Sequence, residues 1–194
     1  MKKIIILIII IISVVLIIGC KTEINQDLQQ ENQNEEIKQN DDVLQKNNPP
    51  VNNWLDIELY DITSESNFKI SDFAGKKVFI ESFAVWCPTC TKQQKEIKKF
   101  HEEFGDVVIS ISLDTDPNED VNKVKEHITE NNFDWHYAVS PKKLTESLID
   151  IFGIGVVNAP QVPIILICED QSVRMLKKGI KKSDALKEEL EAGC

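Results

Sequence analysis

Three patterns of apolar and polar residues follow one another along this chain. Ile4 to Ile18 is an aliphatic run broken only by Ser13, and residues 21–53 are polar, acidic and rich in Asn and Gln. From Trp54 onward, short apolar blocks recur with the periods of strands and helices. Trp54 to Tyr60 roughly alternates and Asn67 to Ile70 follows a polar turn, which together predict a short hairpin. Val78 to Val85 is apolar on both faces apart from Glu81 and Ser82, the pattern of a central strand over about 77–84. A helix is expected from Pro88 to about Glu103, with Ile97, Phe100 and Phe104 as its inner stripe. A strand over 106–113, a helix over 117–130, a short strand over 135–139 and a helix over 141–152 continue the alternation. Pro163 to Cys168 reads as a strand with 172–177 as its hairpin partner. The last helix has Ser183 as its expected N-cap, Leu186 and Leu190 inside, and Gly193 past its end. The order predicts an α/β fold, with a mixed central sheet flanked by helices.

The first block decides the compartment. Lys2 and Lys3 precede an apolar stretch short for a spanning helix but suited to a signal-peptide core. Ile17-Ile18-Gly19-Cys20 resembles the lipobox of prokaryotic lipoproteins. That resemblance implies cleavage before Cys20 and a lipid on its sulfur, and two acyl chains suffice for stable anchoring. Residues 1–19 are therefore expected to be a signal peptide, with 20–53 a lipidated cysteine and flexible acidic tether and 54–194 the folded domain. The tether has too few apolar residues to offset its ordering entropy. The expected location is the outer face of the cytoplasmic membrane or its periplasmic side, and the expected assembly a monomer. With 22 Lys and Arg against 32 Asp and Glu, and Arg174 the only arginine, the chain lacks the basic patches that nucleic-acid binding needs.

The chemistry is announced by Trp86-Cys87-Pro88-Thr89-Cys90, a thiol pair where a buried strand gives way to a helix. There the helix N-terminus stabilises a thiolate, the form that attacks disulfides. A zinc site needs further close ligands, yet Cys168 and Cys194 are distant in sequence and His101, His127 and His136 lack ligand spacing. No cofactor is implied. Cys168 falls in an aliphatic strand and reads as an inert core thiol, and Cys194 as an exposed terminus.

Residues 54–192 resemble the thioredoxin superfamily, specifically the membrane-anchored TlpA/ResA-like thiol–disulfide oxidoreductases. The resemblance rests on Phe83 to Cys90, on Val162-Pro163-Ile164-Ile165-Leu166-Ile167, on the lead-in Asp72 to Val78, and on the long separation of Cys90 from Pro163. It implies a strand–helix insertion within 114–152. It makes Cys87 the nucleophile and the more exposed thiol, with Cys90 resolving the mixed disulfide. It casts Pro163 as a cis-proline against the thiols, leaving the Val162 backbone free to pair with substrate. Trp86, Pro88 and Thr89 would border that substrate. Glu81, expected to be buried, stands six residues before Cys87, where thioredoxins hold an acid that serves Cys90. ResA-like members carry an acid where this chain has Gln93, a departure that argues against an inherited role in cytochrome c maturation. The implied partners are exported protein thiols and disulfides, including apocytochromes c, and a membrane oxidoreductase that gives or takes electrons. Family analogy favours reduction. The competing readings are a peroxiredoxin-like peroxidase and a copper or haem-delivery module. The first lacks the expected Thr and Pro, having Ala84 and Ile80 in their places, and the second usually has a wider cysteine spacing and a dedicated histidine.

Overall fold

The computed structural model describes residues 54–194. The expected signal peptide, Cys20 and tether lie outside the described residues. A hairpin of β1 (Glu58–Asp61) and β2 (Ser66–Lys69) precedes a five-stranded sheet. The sheet contains β3 (Val78–Phe83), β4 (Ile109–Asp114), β5 (His136–Val139), β6 (Ile164–Ile167) and β7 (Val173–Met175), in the order β5-β4-β3-β6-β7. Strand β3 runs parallel to β4 and antiparallel to β6, so the sheet is mixed as expected. The helices are α1 (Pro88–Phe104), α2 (Val121–Asn131), α3 (Lys142–Phe152) and α4 (Ser183–Ala192). Helix α2, strand β5 and helix α3 fall in the stretch between β4 and β6, where a strand–helix insertion was expected.

Every residue of β3 is buried, because the strand is central and both faces are covered. Phe79 and Phe83 join one core layer with Ile97, Phe100, Val124, Ile128, Leu186 and Leu190, the inner stripes of α1, α2 and α4. Val78 and Ile80 join the opposite layer with Ile111, Leu144, Leu148 and Ile165, beneath α3 and the N-terminal hairpin. Glu81 lies two residues from both Phe79 and Phe83, so it shares their face on the α1/α2/α4 side of the sheet.

The helix starts are specified by individual side chains. The Asp120 carboxylate accepts the N–H groups of Asn122 and Lys123 at 2.9 and 3.0 Å, so α2 begins at Val121 rather than at the expected 117. Ser183 is not the cap of α4 but its first helical residue, following Lys182. It is fully buried. Its N–H donates to Glu96 at 3.1 Å, so a carboxylate of α1 does the capping, and its hydroxyl donates to Glu103 at 2.6 Å. Gly193 closes α4 with a φ of 70°, as its position predicted.

Cys168 is buried and Cys194 exposed, as expected, but Cys168 is not a free core thiol, because the two form a disulfide with a Cα separation of 6.0 Å. The fold returns α4 to the sheet edge, where Arg174 of β7 reinforces the junction. Its guanidinium donates to the carbonyls of Gly193 and Glu189 and to the Glu189 carboxylate at 2.6–2.9 Å. Cross-linking residues 26 apart is expected to stabilise the fold by about 3–4 kcal/mol, mainly through the unfolded chain. C194S should lower the thermal midpoint by roughly 10 °C in a calorimetric melt without dithiol, a loss absent when both proteins are reduced.

Candidate active site

The strand-to-helix junction after β3 brings the first thiol pair together. Cys87 and Cys90 form a disulfide with Cα atoms 5.3 Å apart, one helical turn into α1. Pro88 occupies the first turn, where its missing N–H costs nothing, and Cys87 is the N-cap residue. The Cys87 sulfur accepts the Cys90 N–H at 3.1 Å. A sulfur at a helix N-terminus faces unpaired N–H groups and the positive end of the dipole, an environment that favours a thiolate on reduction.

The expected exposure difference between the thiols is absent in this disulfide form: Cys87 is 1% exposed and Cys90 0%. The bond faces inward, while Trp86 and Pro88 stand exposed beside it. Cys90 Sγ lies 3.1 Å from the Ala159 carbonyl oxygen, ready to donate there once reduced. Thr89 is half-buried in the same turn.

The 159–163 turn differs from expectation. No cis peptide occurs among the described residues, so the Val162–Pro163 bond is trans. The chain reverses instead at Val162, which takes φ 43° and ψ 60°, a left-handed conformation unfavourable for a β-branched residue. Val162 is fully buried, and its N–H donates to the Ala159 carbonyl at 2.8 Å. That N–H is therefore closed to a substrate strand. Pro163 contributes its carbonyl, which accepts the Ser82 N–H at 3.2 Å and docks the turn on β3.

A cleft of about 490 Å³ opens beside the disulfide, walled by Trp86, Asp116, Asn118, Asn158, Ala159 and Pro160 among others. The Trp86 indole N–H donates to Asp116 at 2.5 Å, fixing an exposed aromatic wall. Behind this turn the Val85 N–H donates to Glu119 at 2.7 Å. Burial, with the carboxylates of Glu119 and Asp116 nearby, pushes the Asp114 carboxyl up to about 7. Sequence reasoning missed these acids, whose only signal was their density after β4.

Glu81 is buried as expected. Burial raises its carboxyl to about 8, against the opposing pull of Ser112, Gln94 and Lys181. Ser112 of β4 donates to Glu81 at 3.0 Å and accepts the Trp135 indole N–H at 3.0 Å. Gln93 replaces an acid with an amide that brackets the Lys181 backbone, accepting its N–H at 2.7 Å and donating to its carbonyl at 3.1 Å. His136 points away from this network, pairing with buried Asp61 at 2.8 Å.

The family model Redoxin matches residues 49–189. No curated protein matches the chain significantly. Among solved structures, the chain is similar to a secreted Mycobacterium tuberculosis disulfide oxidoreductase described as homologous to E. coli DsbE. That pair has 15% identity and a TM-score of 0.55 over 73% of this chain and 98% of the other. A thiol:disulfide interchange protein of the thioredoxin family from Chlorobium tepidum TLS gives 13% and 0.58, over 71% and 92%. StoA from Bacillus subtilis gives 19% and 0.54, over 68% and 93%. These likenesses establish the thioredoxin-like fold.

The Glu81 environment sets a pH dependence. Its carboxyl binds a proton up to about pH 8 in the fold but only to about 4.5 unfolded, so the folded state holds more protons between these values. Stability should fall as pH rises through that window. E81Q should match the wild type near pH 4.5 and exceed it by on the order of 4 kcal/mol above pH 8, read from urea unfolding midpoints across pH.

Proposed function

The chain belongs to the Redoxin family and is a thioredoxin-like oxidoreductase, and we propose that it reduces disulfides of exported proteins from a lipid anchor at Cys20. The Cys87–Cys90 disulfide at the start of α1 carries this reading, since it joins the pair that the chemistry requires at a helix N-terminus.

In the reduced protein, the Cys87 thiolate attacks a substrate disulfide and releases one substrate thiolate, leaving a mixed disulfide. Cys90 then loses its proton and attacks the Cys87 sulfur. The second substrate thiolate leaves, and the two electrons that reduced the substrate come from forming Cys87–Cys90. The proposed proton acceptor for Cys90 is Glu81, whose affinity near neutral pH suits both taking and returning a proton. A membrane dithiol donor restores the reduced state. Substrate lies in the cleft lined by Trp86 and by Asn158 to Pro160, with Pro88 and Thr89 following Trp86 in the chain. The wall from Asn158 to Pro160 takes the substrate-facing place that Val162 was expected to fill.

The direction is read from the reduction potential, measured for the chain with Cys168 and Cys194 replaced by serine and equilibrated against dithiothreitol or glutathione buffers. A reversible two-electron couple near about −270 mV supports a reductant, and one near about −120 mV reverses the flow. C87S should lose disulfide reduction by more than about a thousandfold, while C90S should accumulate a mixed disulfide with substrate, visible by mass spectrometry. Lipid attachment should vanish in C20S.

A further inference from the structure

We propose that His127 is a positioning residue for the reaction, fixing through its hydrogen bond to Gln94 which end of that amide meets Glu81. The inference rests on the oxidoreductase reading, in which Glu81 handles the Cys90 proton.

His127 lies on α2 and is 5% exposed. Its ring stacks on Phe83 at a centroid distance of 5.7 Å and packs against Phe133 at 5.7 Å. The Nε2 atom is 2.7 Å from Gln94 Oε1. An amide oxygen can only accept, so this contact assigns the hydrogen to Nε2. Nδ1 is then the acceptor and faces Asn131 Nδ2 at 3.5 Å. Burial lowers the His127 pKa and favours this neutral ring, against the pull of Glu119 and Glu130.

With its oxygen held by His127, Gln94 has only its NH2 end to offer Glu81. The Gln94 amide nitrogen and Glu81 Oε1 are both buried and neither makes a hydrogen bond, while the Gln94 amide beside the carboxyl pulls its pKa down. An N–H facing the carboxyl favours its ionised form, the same direction as the Ser112 hydroxyl from β4 and the Lys181 charge before α4. Tyr137 of β5 completes the surroundings, its phenol raised by burial and by the Glu81 charge. A flipped Gln94 would instead present its oxygen, which a protonated carboxyl can bond and an ionised one cannot. The imidazole N–H thus biases Glu81 toward the proton acceptor that Cys90 needs, without touching it.

The test reads Glu81 and His127 directly by NMR in the full chain. In the wild type, 15N shifts at neutral pH should report a neutral ring with the hydrogen on Nε2, and a hydrogen on Nδ1 overturns the proposal whatever the variants do. The 13C titration of the Glu81 carboxyl, with E81Q identifying the signal, should have its midpoint near 8. His127→Phe keeps the ring stacking and removes the donor, so the midpoint should rise by about one pH unit. His127→Gln, which retains an N–H donor, should restore most of the shift. In a Gln94→Leu background His127→Phe should add nothing. An unmoved midpoint in folded His127→Phe, or an equal shift without Gln94, overturns the proposal. Turnover separates the two readings: E81Q as active as wild type removes Glu81 from catalysis, whereas the titrations test the Gln94 orientation alone.

Discussion

The double-sided burial of β3 is the constraint on which this structure depends. A strand covered on both faces must be apolar almost throughout, and its one carboxylate carries a desolvation cost that only an organised set of polar partners offsets. Ser112, Gln94 and Lys181 reach Glu81 from β4, from α1 and from the loop before α4. The same strand delivers the chain to the first turn of α1, where Cys87 caps the helix with its sulfur. The proposed proton acceptor and the first thiol of the pair are thus joined by one segment of seven residues, Glu81 to Cys87. Thiol exchange requires sulfur atoms lined up within bonding range.

Two electrostatic influences meet at Cys87. The helix N-terminus favours the thiolate, and so favours the reduced protein. The surrounding charge acts the other way. Asp116 is bonded to Trp86, and Glu119 to the Val85 N–H. No lysine, arginine or histidine lines the cleft. Negative neighbours disfavour a thiolate, which moves the balance toward the disulfide and makes the dithiol a better reductant. The acidic wall is the physical argument for reduction as the proposed direction, independent of any family analogy.

What was legible in the sequence was what local periodicity encodes. The apolar run of β3, the stripes of α1 to α4 and the proline after Cys87 state their own geometry within a few residues. Interactions across the fold leave no such signal. Cys168 looked like a core thiol because its strand is aliphatic, and only the return of α4 to the sheet edge shows its partner to be Cys194. Ser183 has the chemistry of an N-cap, yet the Glu96 side chain took that role by arriving from a neighbouring helix, while Glu103 accepts the Ser183 hydroxyl. Glu81 was found because it broke a pattern. Gln94 and His127 were not singled out as its partners, since each sits on an otherwise ordinary helix and gains meaning only when α1 and α2 are side by side. Val162 shows the limit of resemblance, because its left-handed turn performs the reversal that a cis bond was expected to make.

The two disulfides occupy opposite ends of the sheet, and that separation bears on their roles. Strand β6 runs antiparallel to β3, pairing Ile164 with Glu81 and Ile167 with Val78. Cys168 therefore lies beside the start of β3, while Cys87 lies beyond its end. Six strand residues at about 3.3 Å each place roughly 20 Å between the two sites, far beyond the reach of sulfur exchange. Electrons cannot pass from one pair to the other within the folded molecule. The Cys168–Cys194 bond, reinforced by Arg174 at the same sheet edge, holds α4 against β7. Since the loop before α4 also supplies Lys181 to Glu81, the far disulfide reaches the site through position rather than through electron transfer.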